Sequence, residues 1–112
     1  MTFLLLVTQP PVCSAIHRYV LDLIDAIYMA EHQVRAVFFT SAAAVLADSS
    51  HHHEFRVNYL EKSCNFNFPL LVCGRAFRDS GLRPELLENG FELSGNMELT
   101  VMLQECDKTV EF

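Results

Sequence analysis

No stretch of this chain approaches the ~18 consecutive apolar residues that cross a membrane. Met1-Thr2 ahead of the Phe3 to Val7 run supplies neither the basic start nor the length of a secretory signal. Cys13 follows Pro11-Val12 rather than the small residues that precede a lipidated cysteine. Cationic side chains are scarce: eight Lys and Arg against fourteen Asp and Glu leave a net charge of −6, with an isoelectric point near 5.2. That balance repels phosphate backbones, so direct nucleic-acid binding is not expected. The Gly-x-Gly-x-x-Gly and P-loop patterns are missing, which leaves a nucleotide cofactor without support. Ser94-Gly95 lacks the Gly-x-Ser-x-Gly elbow of a serine nucleophile. None of the four cysteines (Cys13, Cys64, Cys73, Cys106) forms a CxxC or CxxH pair, so spacing offers no structural zinc site. There is no internal repeat, linker or low-complexity tract. The expectation is a single domain over 1–112, cytoplasmic, with reduced cysteines that serve either as core filler or as chemistry.

What is present is ample apolar material. Apolar types make up 51% of the 112 residues and charged types 20%, which excludes intrinsic disorder. A chain of this length buries roughly two thirds of its unfolded surface, enough for one core without disulfides. The mean hydropathy of +0.20 is high for a small monomer and points to apolar surface covered by a partner chain.

Phe3 to Val7 is a continuous apolar run closed by Gln9-Pro10-Pro11, the pattern of a buried strand. Ser14 to Glu31 reads as a helix with Ile16, Val20, Leu23, Ile24 and Ile27 inward. Val34 to Phe39 is a second buried strand, and the Ala-rich Thr40 to Ser50 reads as loop plus a short helical turn. Asp48, Ser49 or Ser50 is placed to cap a helix over His51 to Ser63, with Phe55, Tyr59 and Leu60 inward. Pro69 to Cys73 is a third strand, and Pro is tolerated at its first position. Gly74 to Ser80 opens a helix or single turn that Gly81 ends. Pro84 to Asn89 reads as a short helix stopped by Gly90, and Phe91 to Leu93 as a short strand. Asn96 to Glu105 is a last helix with Leu99, Met102, Leu103 and Cys106 on one side, and Thr109 to Phe112 a fifth strand. Strands alternating with helices imply an α/β fold with a mostly parallel sheet and helices on both faces.

Cys73 stands out by position. It ends a buried parallel strand where a helix begins, on the rim where α/β sheets collect ligands and catalytic groups. A nucleophilic cysteine works as the thiolate, which backbone N–H groups at a helix start favour. Arg75 and Arg78 in the following turn add positive potential, and Gly74 leaves the backbone open beside the sulfur. The alternative is a strand-end cysteine used as a small hydrophobe; position weighs the two evenly. Cys106 and Cys64 each fall one turn from an apolar residue and read as core packing. Cys13 shares the rim with Cys73, and whether the two can meet depends on strand order. Adjacent strands would set them about 5 Å apart, whereas an intervening strand makes it about 10 Å, beyond disulfide reach.

His51-His52-His53 invites a metal, but successive helical residues point about 100° apart, so no more than two of the three share an ion. A solvated helix start is favoured. His17 and His32 are isolated in sequence. From Glu85 onward there are seven acids and one base, Lys108. The plain interpretation is a solvated face, and the sharper one a docking surface for a basic partner protein.

Taken together, Phe3 to Thr8, Val37-Phe38-Phe39, Leu71-Val72-Cys73 with Ala76 and Gly81, Gly90-Phe91-Glu92-Leu93-Ser94-Gly95 and Cys106-Asp107-Lys108-Thr109-Val110-Glu111-Phe112 resemble the DsrE/TusD family of intracellular sulfur-relay proteins. The resemblance implies a three-layer α/β/α sandwich with a five-stranded sheet of order 4-3-2-1-5, which would keep Cys13 and Cys73 apart. It implies that Cys73 matches the family's persulfide-carrying cysteine, making the chain a sulfurtransferase that needs no metal or organic cofactor. Implied partners are related DsrE-family subunits in a homo- or hetero-oligomer such as a hexamer, a TusA-like sulfur donor and a TusE/DsrC-like acceptor. The pathways implied are tRNA thiolation and sulfur oxidation. The alternative, drawn from the apolar composition and the altered residues around Cys73, is a non-catalytic structural subunit beside a catalytic sibling. Where relatives often carry paired arginines before the glycine after the cysteine's helix, this chain has Asp79-Ser80.

Overall fold

The computed structural model describes residues 1–112. Five strands, β1 (Thr2–Val7), β2 (Gln33–Phe39), β3 (Leu70–Cys73), β4 (Phe91–Ser94) and β5 (Lys108–Glu111), form one sheet of order β4-β3-β2-β1-β5. All four pairings are parallel. The expected α/β sandwich and strand order are therefore observed. The apolar runs in β1, β2 and β3 follow from burial on both faces, since these are the three inner strands of the parallel sheet.

Four helices connect the strands: α1 (Ser14–Met29), α2 (Glu54–Phe66), α3 (Gly74–Asp79) and α4 (Asn96–Glu105). The first three, with a 3-10 turn over Ser41–Ala47, lie on one face of the sheet. There they share a core of 20 buried residues that includes Leu5, Val37, Phe39, Val72, Ile24, Leu46, Tyr59 and Phe77. On the other face α4 stands alone, and only five buried residues meet: Leu4, Ala36, Phe38, Leu71 and Met102. Alternation along β1 and β3 sends successive side chains to opposite cores. In β2 the register slips beside Phe3/Leu4, where Val34 and Ala36 pair with consecutive β1 residues. This irregularity leaves Arg35 as an extra residue between the two pairs.

Several boundaries differ from the sequence expectation. α1 stops at Met29 rather than Glu31, because the chain turns there: Glu31 takes φ 64° and its N–H bonds Tyr28 O at 3.0 Å. Its buried residues are His17, Val20, Leu21, Ile24 and Ile27, while Ile16 and Leu23 are only partly covered. α2 starts at Glu54, not His51, and reaches Phe66. Asp48 and its neighbours do not cap it. The Asp48 carboxylate instead accepts the Ser50 N–H (2.9 Å) and hydroxyl (2.6 Å), a local turn that uses up the acceptor before the helix begins. Leu60 is half-buried and Arg56 takes the inward place beside Phe55 and Tyr59. The helix expected over Pro84 to Asn89 shrinks to a 3-10 turn, Pro84–Leu86. Around it Ser49 N–H bonds Leu86 O and Glu88 N–H bonds Ala47 O, fixing the segment to the Ser41–Ala47 turn.

Candidate functional site

β2, β3 and β4 run parallel, so their carboxyl ends reach one rim together. Cys73 is the last residue of β3 and the residue that precedes α3. Its register partner is Ser94 on β4. The side chain lies on the α4 face, half-buried against the smaller core. Beside it opens a cleft of about 380 Å³ lined by Thr40 and Ser41 from the end of β2, Arg75, Asp79 and Ser80 from α3 and its end, and Asn96 from the start of α4. The thiol is thus neither sealed in a core nor projected into solvent; it forms part of a polar wall furnished with hydroxyl and amide groups. Ser41 takes φ 53°, an uncommon backbone state for a non-glycine residue, at the edge of this cleft.

The short helix starts at Gly74, so the first-turn N–H groups after Cys73 have no partner within the helix and point toward the strand end. Gly74 is not forced on the fold by its backbone. A methyl group there would sit 3.5 Å from the Ser94 carbonyl oxygen, an ordinary contact. Its effect is to leave the approach to the sulfur unobstructed. Gly81, by contrast, takes φ 81° and ends α3 in a left-handed turn, with Gly81 N–H to Arg78 O at 2.9 Å and Leu82 N–H to Phe77 O at 3.3 Å. Arg75 lines the cleft and lies 4.0 Å from Asp79, with both side chains largely exposed, so that pair is weak. Arg78 is exposed at the end of α3 and does not line the cleft.

The other cysteines separate cleanly. β2 lies between β1 and β3, so Cys13 in the loop after β1 and Cys73 at the end of β3 do not follow adjacent strands. Cys13 Sγ instead lies 3.7 Å from Gln9 Oε1. Cys106 packs against the smaller core, and burial pushes its thiol up from the ordinary value. Cys64 is exposed on α2 and is not the packing residue its spacing from Leu60 suggests. The reason is that Leu60 lies at the edge of its core, so a residue one turn on faces solvent. On α4 only Met102 is buried, Leu99 and Cys106 are partly covered, and Leu103 is 43% exposed.

Two polar constructions were hidden from the sequence. His17, read as isolated, is fully buried and held on both sides. Its Nε2 faces the Gln9 and Pro10 carbonyl oxygens at 3.1 and 2.9 Å. Carbonyls only accept, so Nε2 carries the proton and Nδ1 accepts from the Tyr59 hydroxyl at 2.8 Å. The pair ties the loop after β1 to α2. Burial of Tyr59 pushes its phenol well above the ordinary value. The second construction centres on Asp48. Burial alone raises its carboxyl, but hydrogen bonds from Ser50 and from His51 (Nδ1 at 2.9 Å) outweigh that and hold it below the usual carboxylate range. Arg56 donates to the Asp48 and His51 carbonyls and lies 3.5 Å from Glu88. His51 and His52 are exposed ahead of α2, and no group of three His, Cys, Asp or Glu side chains is arranged to hold a metal ion. Burial, followed by the Arg56 charge, lowers His53 below the ordinary imidazole value. Position on the rim was the available signal for Thr40, Ser41 and Asn96, because each lies just beyond a strand end; their residue types alone carried none.

No helix is long and apolar enough to cross a membrane. Comparison with known proteins gives the fold a lineage. The profile of the DsrE/DsrF-like family matches residues 1–112. The YchN protein from E. coli superposes with a TM-score of 0.78 at 20% identity, over 100% of both chains. A protein of unknown function from Methanobacterium thermoautotrophicum, MTH1491, gives a TM-score of 0.68 at 17% identity, over 99% of this chain and 97% of its own. Likenesses at such identity bear on the fold. Among curated proteins, none matches by sequence.

Proposed function

Because the chain belongs to the DsrE/DsrF-like family, which is associated with sulfur relay, we propose that it is a sulfur-relay subunit in which Cys73 accepts sulfane sulfur as a persulfide and passes it to an acceptor protein thiol. The observation that carries this is the placement of Cys73 at the end of β3, half-buried and opening on a cleft with Thr40, Ser41 and Asn96 around it. In the first step the Cys73 thiolate attacks the outer sulfur of a donor persulfide. The new bond joins Sγ to that sulfur, the donor's S–S bond breaks, and the donor leaves as a thiolate with the electron pair. In the second, an acceptor thiolate attacks the outer sulfur on Cys73 and releases the Cys73 thiolate. No net oxidation occurs, and neither step calls on a metal or organic cofactor. The hydroxyl and amide donors of the cleft, the first-turn N–H groups of α3 and Arg75 supply positive potential for the sulfur anion. On this proposal the donor is TusA-like and the acceptor TusE/DsrC-like. The subunit works in the cytoplasm with related DsrE-family chains, in tRNA thiolation or sulfur oxidation.

A second function, a structural subunit that completes an oligomer without chemistry, is favoured by one observation: the charge of Arg75 faces Asp79 within the cleft, where it is partly cancelled. Intact-mass spectrometry separates the two. Reduced protein incubated with a sulfane-sulfur donor gains one sulfur, peptide mapping finds it on Cys73, and the Cys73→Ser variant gains none while keeping its oligomeric state. Sulfur absent, or spread over several cysteines, assigns the structural role instead.

A further inference from the structure

We propose that the groove between the edge strand β4 and helix α4 docks a protein segment that interleaves apolar and basic side chains. The groove has a volume of about 420 Å³ and lies on the thinly covered face of the sheet, below the Cys73 cleft. Leu71, Val101 and Met102 supply apolar surface, Glu92 and Glu98 bring negative charge to it, and Arg35 at its inner end is the one base. It exists because α4 crosses the sheet alone, from β4 on one edge to β5 on the other, leaving the corner over β3 and β4 without a second helix.

Three further observations specify the occupant. Four of the nine large apolar side chains exposed on the whole chain belong to β4 and α4: Leu93, Met97, Val101 and Leu103. That concentration calls for an apolar partner surface. β4 pairs only with β3, so the backbone groups on its outer side are open to an added extended segment. The third observation is charge. Of the seven acids from Glu85 onward, Glu88 faces Arg56, Glu105 faces Arg35, and Asp107 accepts the Thr2 N–H at 2.7 Å. Arg35, the base that lines the groove, lies 3.8 Å from Glu105 in an exposed pair, so its charge is offset only in part. Glu98 lies in the first turn of α4, where a carboxylate also suits the helix end. The Glu92 carboxylate, exposed on the edge strand, has no ion-pair partner within the chain. A basic side chain complements both groove acids. A second copy of this chain docked groove to groove does so poorly, since that two-fold contact brings the same glutamates face to face.

The groove joins the cysteine's surroundings through Ser94, which lines it and pairs with Cys73. A segment held there delivers its protein to the Cys73 cleft, a consequence that rests on the sulfur-relay function proposed above; the docking itself does not. The test is fluorescence anisotropy with a labelled peptide of interleaved valine and lysine, titrated into the full chain, with a valine–glutamate peptide as control. Backbone amide shifts are mapped in parallel. The expected result is saturable binding that weakens with salt, falls about tenfold in Glu92→Lys, and shifts amides of β4 and α4. Glu92→Lys keeps its thermal midpoint and still loads sulfur on Cys73 from a small donor, so failure of docking and failure of sulfur transfer are read apart. Absence of peptide binding, equal affinity in Glu92→Lys, equal binding of the control peptide, or shifts elsewhere overturns the proposal. So does concentration-dependent self-association that perturbs the same amides and blocks the peptide.

Discussion

The two faces of the sheet are built to different standards. Beneath α1, α2, α3 and the Ser41–Ala47 turn, 20 buried residues interlock, with Phe39 packed edge-on to Tyr59 at 4.9 Å between ring centres and tilted against Phe91 at 5.8 Å. Beneath α4 there are five, and most of the helix remains in contact with solvent. The first face carries the stability of the fold. The second carries the thiol side chain and the groove, and the cleft opens at the rim between the two faces. An accessible thiol on the thinner face leaves intact the core that holds the strands in register.

This contrast can be broken by substitution. Phe39→Ala should cost about 3–5 kcal/mol in denaturant unfolding, because the neighbouring rings cannot collapse into the void. Met102→Ala, the best-buried residue of α4 at 3% exposure, should cost about 2 kcal/mol, the low end for its type, since solvent lies close by. Equal losses for the two would remove the asymmetry.

The Asp48 cluster sharpens it, being the polar equivalent of that thick packing. Asp48→Asn loses charge-assisted hydrogen bonds and should destabilise by about 2 kcal/mol at neutral pH. In the parent chain the Asp48 carboxyl lies below its ordinary value of 3.8. Its contribution is therefore fully present above about that pH and disappears as pH falls through the lower folded value. Acid titration of stability should show the variant's loss shrinking over that range; a loss independent of pH would assign it to packing rather than charge. Smallest in stability is Val101→Ser on the outer face of α4, which should stay within about 0.5 kcal/mol of the parent. It should nonetheless weaken peptide docking measurably.

Much of the fold was legible because parallel strands buried on both sides write themselves as short apolar runs between turn residues. Phe3 to Val7, Val34 to Phe39 and Pro69 to Cys73 are all of this kind. Strand order came from the family resemblance, since alternating β and α units admit several orders. Cys73 was legible as a strand end meeting a helix start. The rest of the cleft was not, because Thr40, Ser41 and Asn96 come from separate connections that only the sheet brings together. His17 and Tyr59, 42 positions apart, were invisible for the same reason. The start of α2 was misread because Asp48 has two uses, helix cap and local turn, and burial beside Arg56 selected the second.

The position of β4 has a dynamic consequence. It is four residues long and hydrogen-bonded along one edge only, whereas β2 is bonded on both. Edge strands of that length open at a small fraction of the global unfolding cost, so amide hydrogens of Phe91 to Ser94 should exchange with solvent far sooner than those of Val37 to Phe39. Ser94 sits opposite Cys73 in the register. Each such opening loosens the rim beside the sulfur and, through Phe91, the edge of the larger core, so the two faces of the sheet are coupled through one short strand.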